Sequence, residues 1–177
     1  MTRVAIVGNA GGGKSTLARR LSTARGLPLY AVDRLQWQPG WRPTPDEAFM
    51  RAQDEILQRE RWVLDGFGSL ESIRARFDRA DTIVFVDLPL WRHTWWAMKR
   101  QFLCLFRPRP DGPPGCPMLP VTGRLLRMIW DIHRDVRPLL IAEIERRRSD
   151  CRVIEIKSPR DMRDFVHRTC HEPMNAC

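Results

Sequence analysis

Apolar residues in this chain fall into short continuous runs separated by stretches of helical periodicity. Arg3-Val4-Ala5-Ile6-Val7 is a β-branched run that stops at Gly8, and Lys14 to Ala24 carries Leu17, Ala18 and Leu21 at helical spacing before Gly26. Leu27 to Val32 predicts a second strand. Pro45 marks a helix start, followed by acidic Asp46 and Glu47 and by Ala48, Phe49, Ile56 and Leu57 on one face. Trp62-Val63-Leu64, ending in Asp65-Gly66, predicts a third strand, Asp81 to Asp87 a fourth and Arg152 to Ile156 a fifth, after which Pro159 opens a last helix. The third and fourth are apolar throughout instead of alternating, as strands covered on both faces are. Strands separated by helices imply an α/β fold with a parallel sheet between helical layers.

One segment breaks this pattern. Between Phe106 and Gly123 lie Pro108, Pro110, Pro113, Pro114, Pro117, Pro120 and three glycines, with Arg107 and Arg109 before them and Arg124 and Arg127 after. Regular structure is not expected there, and a long loop inside a compact domain is a lid or a passive loop, the flanking arginines favouring a lid. Trp91, Trp95 and Trp96 with Met98 fall near helical spacing, which predicts packing in the core or at the lid hinge.

Length and composition narrow the class. At 177 residues and 43% hydrophobic, the chain suits one compact domain, residues 1–177. No apolar run approaches the roughly 20 residues of a membrane helix, and Met1-Thr2-Arg3 leads into the first strand without a signal-peptide layout, so a cytoplasmic location is expected. Cys104, Cys116, Cys151, Cys170 and Cys177 are odd in number and scattered, and read as free thiols; Cys170-His171 with Cys177 is a weak metal clip. Formal charge is +9, carried almost wholly by arginine, with Lys14, Lys99 and Lys157 the only lysines. Arginine forks match phosphate oxygens, so an anionic substrate is expected, although charge alone does not separate a kinase from a nucleic-acid binder.

The chemistry begins at Gly8-Asn9-Ala10-Gly11-Gly12-Gly13-Lys14-Ser15-Thr16, between a strand and a helix. Glycines let backbone N–H groups close around phosphate oxygens, Lys14 reaches the β- and γ-phosphates, and the Ser15 hydroxyl ligates magnesium. The dinucleotide pattern Gly-x-Gly-x-x-Gly fails because Ala10 stands at its second glycine, which disfavours hydride transfer. An Asp at the carboxyl end of a parallel strand faces the ligand crevice, so Asp65 is placed to hold magnesium through water or to position an acceptor, and Asp33 occupies a similar place. Asp87, close to Pro89, reads as a cap or turn residue.

The phosphate loop, Leu64-Asp65-Gly66-Phe67 and Val86-Asp87-Leu88-Pro89 together look like adenylate kinase and its nucleoside-monophosphate kinase relatives. Asp33-Arg34-Leu35-Gln36-Trp37-Gln38-Pro39-Gly40-Trp41, Ala80-Asp81-Thr82-Ile83, Gly115-Cys116-Pro117 and Arg137-Pro138 resemble small bacterial adenylate-kinase-like proteins labelled DNA topology modulation proteins, a similarity running from Val4 to about Phe165. The resemblance implies a five-stranded sheet in the order 2-3-1-4-5, an acceptor-binding region at about 33–60 and a lid at about 106–123 that closes over ATP. It also implies that Arg134 and Arg137, on the helix after the lid, reach the transferring phosphate. Trp37 and Trp41 lie in the acceptor-contacting segment, for base stacking, an apolar pocket wall or core packing. Where adenylate kinase has an arginine for the acceptor phosphate, this chain has Gly68-Ser69-Leu70, leaving Arg74 or Arg76 as substitutes.

These readings converge on magnesium-dependent transfer of the ATP γ-phosphate to a small anionic acceptor such as a nucleotide, nucleoside or hydroxylated metabolite. The missing arginine tilts the acceptor group towards a hydroxyl, with Asp33 as its base. Expected cofactors are ATP and Mg2+, with no membrane partner. The rivals are an ATPase acting on nucleic acid, which has the charge but no recognition motif, and an ATP sensor without turnover.

Overall fold

The computed structural model describes residues 1–105, 114–117 and 119–171, with the side chains of Cys170 and His171 outside that description. The principal sheet is parallel, with strands β1 (Arg3–Gly8), β2 (Leu29–Ala31), β5 (Trp62–Asp65), β6 (Thr82–Val86) and β7 (Arg152–Ile156) in the order β2-β5-β1-β6-β7. Counted among those five, this is the expected order 2-3-1-4-5. β1 is central, Ala5 pairing with Leu64 of β5 on one side and with Ile83 of β6 on the other.

Alternate residues of each strand feed opposite faces, which is why these strands read as continuous apolar runs. Ala5, Val7, Leu64, Ile83 and Phe85 pack against α3 (Asp46–Leu57), α4 (Leu70–Arg79) and α7 (Arg137–Arg146) through Phe49, Ile56, Ile73, Phe77, Leu140 and Ile144. Val4, Ile6, Val63, Val84 and Val86 pack against α1 (Lys14–Arg25) and α8 (Pro159–His171) through Leu17, Leu21 and Phe165. A smaller cluster of Ala97, Leu125 and Ile129 joins α5 (Leu90–Leu103) to α6 (Thr122–Asp131). A π-helical turn, Ile132–Val136, links α6 to α7.

The second strand is shorter than its apolar run. The chain leaves β2 at Ala31 for a short helix, α2 (Val32–Gln36), followed by a hairpin of β3 (Trp37–Gln38) and β4 (Arg42–Pro43). Residues 106–113 and 118 of the expected lid lie outside the described residues, Arg107 and Arg109 among them. Its described part is more ordered than its prolines suggest: Leu119–Val121 is a 3-10 turn, and Gly123 already belongs to α6. Gly115 and Pro117 dock on the hairpin, the Gly115 carbonyl accepting from Gly40 N–H at 2.9 Å and the Pro117 carbonyl from Trp41 Nε1 at 2.7 Å. Trp91, Trp95 and Met98 are not in the core as expected but exposed on the outer side of α5, and only Trp96 turns inward.

Behind the turn after β5 lies Arg76 of α4, fully buried. Its guanidinium donates to the Gly66 carbonyl at 2.8 Å, to the Phe67 carbonyl and to the Ser72 carbonyl at 3.2 Å. Burial pulls its pKa down to about 10 against the attraction of Asp65, so it is a cation at neutral pH. Arg76 is therefore no acceptor-binding residue: it sits under the turn and fixes its shape. Replacing it in Arg76→Leu leaves the Gly66 and Phe67 carbonyls without their donor and Asp65 without its cation, a loss of about 3–5 kcal/mol in urea denaturation; an unchanged midpoint would mean that the turn holds itself.

Candidate active site

The phosphate loop leaves β1 at Gly8, where there is no room for a side chain: a Cβ would lie 2.2 Å from the Val86 carbonyl oxygen. At Gly11, φ is 74° and a Cβ would lie 2.3 Å from the His93 carbonyl oxygen. The loop thus packs on β6 and α5 at the closest backbone distances, and its other side is left open to a ligand. Gly13, in the left-handed region, caps α1, whose N-terminus starts at Lys14.

Two side chains that the sequence pattern did not single out hold the loop from behind. Asn9, buried, donates from Nδ2 to the Ile129 carbonyl of α6 at 2.7 Å and accepts from Ala10 N–H at 2.8 Å. His93, 1% exposed, places Nδ1 at 3.0 Å from the Ala10 carbonyl; because a carbonyl only accepts, Nδ1 carries the proton. Its ring also lies against Gly12. Burial, and then the Lys14 ammonium, push its pKa down to about 4. Neither residue has a sequence signal, since Asn9 is a wildcard position of the motif and His93 is a lone histidine in an apolar helix.

In front of the loop lies a crevice of about 690 Å3. Gly11, Gly12, Gly13, Lys14, Ser15 and Thr16 line it, as do Asp33 from α2, Trp37 and Trp41 from the hairpin, and Asp65 and Gly66 after β5. Lys14 Nζ donates to the Asn9 carbonyl at 2.8 Å. Trp37 and Trp41 meet edge to face with centroids 5.7 Å apart, and Trp41 holds a φ of 59° that its Nε1 bond to Pro117 helps to fix. Arg19, Arg100 and Arg124 add positive charge to the walls, of which only Arg124, beside the expected lid, carried a sequence signal.

Other expected residues lie away from the crevice lining. Arg134 makes a paired contact with Asp135 at 2.7 Å on the exposed π-helical turn. Arg137 is bidentate to Asp87 at 2.6 and 2.7 Å, beside Asn9 and His93 at the back of the loop. Asp87 is thus an ion-pair partner and not a helix cap, and Arg137 is committed to it in this structure. Arg74 pairs with Glu143 of α7 at 2.8 Å. Arg137 and Arg74 are engaged by partners 50 and 69 positions away, which sequence spacing does not reveal.

The lining fits the groups the motif implies. Gly11 and Gly12 press against α5 and β6 where no Cβ would fit, which leaves the loop's other face to the crevice beside a helix N-terminus, as a polyphosphate requires. For a divalent ion, the Ser15 hydroxyl and the Asp65 carboxylate offer hard oxygen donors on one wall. Among the described residues no cluster of three or more His, Cys, Asp or Glu could hold a metal by itself, so phosphate oxygens would complete the shell. Cys177 and the side chains of Cys170 and His171 lie outside the described residues.

No known protein family matches the sequence, and no curated protein does. By structure the chain is similar to shikimate kinase from Acinetobacter baumannii in complex with shikimate, at 18% identity and a TM-score of 0.58, covering 95% of this chain and 90% of that one. It is also similar to a gluconokinase from Sinorhizobium meliloti 1021, at 16% identity and a TM-score of 0.51, covering 96% and 89%. The fold is the P-loop α/β fold of the nucleoside-monophosphate-kinase type.

The burial of His93 has a consequence for stability. Its folded pKa of about 4 lies below the ordinary 6.5, so between those values the unfolded chain takes up a proton that the folded protein refuses. Stability is full above about pH 6.5 and falls by about 3 kcal/mol as pH drops towards 4. His93→Gln removes this titration, and urea denaturation at several pH values should give a flatter profile in that window. Parallel profiles for the two proteins would contradict the burial of a neutral imidazole.

Proposed function

We propose that the chain is a Mg-ATP-dependent kinase that phosphorylates a hydroxyl of a small anionic metabolite. The observation that carries the proposal is one crevice holding a glycine phosphate cradle, the carboxylates of Asp65 at the end of β5 and Asp33 on α2, and a pair of tryptophans. Arg74 and Arg76, the residues that would receive an acceptor phosphate, are engaged with Glu143 and with the Gly66 and Phe67 carbonyls, which favours a hydroxyl acceptor. Arg19, Arg100 and Arg124 supply charge for an anionic acceptor and for the triphosphate. The shikimate kinase and gluconokinase likeness accords with this reading, but at 18% and 16% identity it argues for the fold alone.

In this reading the loop N–H groups and the Lys14 ammonium hold the phosphates, Lys14 exchanging the Asn9 carbonyl for a phosphate oxygen. The Asp33 carboxylate accepts the hydrogen bond of the acceptor hydroxyl, orients its lone pair towards the γ-phosphorus and takes the proton late in transfer. The new P–O bond forms as the bond to the β–γ bridging oxygen breaks, and ADP leaves. Ser15 and Asp65 would hold magnesium, which supplies charge neutralisation on the phosphate oxygens when bound. Trp37 and Trp41 shape an apolar wall that keeps bulk water from competing with the acceptor. The Gly115 to Pro117 segment, which docks on Gly40 and Trp41 of the same hairpin, would belong to the lid.

ADP release from Mg-ATP is to be measured across hydroxylated acids, nucleosides, nucleoside monophosphates and DNA. A hydroxylated acid should support turnover. Lys14→Ala should then lose activity by orders of magnitude and Asp33→Asn about 10²-fold in kcat, with little change in ATP affinity. Turnover with DNA alone would support a nucleic-acid-associated ATPase, binding without turnover a sensor. A wild-type kcat in Asp33→Asn would shift the acceptor to a phosphate.

A further inference from the structure

Helix α5 turns an apolar stripe to solvent. Trp91, Trp95, Met98 and Phe102 follow the spacing i, i+4, i+7, i+11, which confines them to an arc of about 60° around the helix. They are 62%, 64%, 43% and 62% exposed. The core side of α5 carries His93, Ala97 and Gln101, and the crevice side carries Trp96 and Arg100; the stripe faces neither. Of the ten exposed large apolar side chains among the described residues, nine lie between Trp91 and Trp130 and one, Leu139, elsewhere. Surface hydrophobics are normally scattered, and a concentration of this kind marks a docking surface.

The charge around the stripe decides what docks. α5 contains Arg92, Lys99 and Arg100 and no acidic residue, and helical spacing sets Arg92 and Lys99 beside the stripe. A second copy of the chain would bring like charges face to face. Single-stranded nucleic acid would need a basic groove beside its stacking rings, whereas the stripe lies on the outer side of one helix, outside the crevice lining, with Met98 set among its rings. An anionic bilayer surface uses every part: tryptophan at headgroup depth, Phe102 and Met98 in the acyl boundary, and Arg92 and Lys99 on the phosphates. We propose that the outer face of α5 docks this protein on an anionic membrane surface. The contact is interfacial, since no helix among the described residues is long and apolar enough to cross a membrane. The proposal stands apart from the kinase reading.

Cosedimentation of the full chain with vesicles tests it, using phosphatidylcholine alone or with about a third phosphatidylglycerol. Binding should be at least tenfold stronger to the anionic vesicles and should weaken with salt. The double substitution Trp91→Ser with Trp95→Ser, at exposed positions that leave the thermal midpoint near wild type, should weaken it by at least tenfold. Lys99→Glu keeps the aromatic residues and should weaken it several-fold at low salt. Absence of binding to anionic vesicles overturns the proposal, as does equal binding by the double variant. Concentration-dependent dimerisation, or capture of an oligothymidylate with no binding to vesicles, assigns the stripe to another occupant and overturns it too.

Discussion

The phosphate loop has no space for a side chain on the face it turns to β6 and α5, and the rest of the site is arranged around that contact. Gly8 and Gly11 bring the backbone to within contact distance of the Val86 and His93 carbonyls. Once there, the loop's own polar groups must be met from behind, and Asn9 and His93 do so through the Ile129 and Ala10 carbonyls. The Arg137–Asp87 pair completes this polar layer. The face left to the crevice carries Lys14 and Ser15, and the contacts behind it set the loop's shape without a ligand, which is the condition for electrostatic stabilisation without reorganisation.

The same logic recurs one strand away. Asp65 ends β5 inside the crevice because the turn after it is fixed by Arg76 from below, and Val32 packs where a Gly66 side chain would go. That packing seats α2, which carries Asp33, beside the turn. A buried guanidinium is costly unless every donor is used, and here three backbone carbonyls and a nearby carboxylate use it. Positioning two carboxylates near one phosphate cradle is thus the work of α2 and α4 as much as of the loop.

Local patterns recovered what local physics determines. Buried parallel strands show as unbroken apolar runs, and Gly8 to Thr16 reads as a phosphate loop because Gly8 and Gly11 stand where the backbone has no room for a side chain. The expected sheet order follows from the resemblance that those strands and turns support. Long-range pairings were not legible: nothing near Arg76 in sequence shows that it will satisfy Gly66 and Phe67, and nothing near Arg137 points to Asp87 across fifty positions. The hairpin of β3 and β4 was hidden because its strands are two residues each, too short for an alternation to show. Helical spacing grouped Trp91, Trp95, Trp96 and Met98, yet Trp96 turns inward while the other three face solvent, because periodicity alone does not say whether an apolar face meets protein or solvent.

The central claim is that this crevice moves a phosphoryl group from ATP to a hydroxyl and not to water. Phosphorus NMR of the protein with Mg-ATP and a turnover-supporting hydroxylated acid tests it directly. The account predicts a new phosphomonoester signal growing in step with ADP; ADP accompanied only by inorganic phosphate would contradict it.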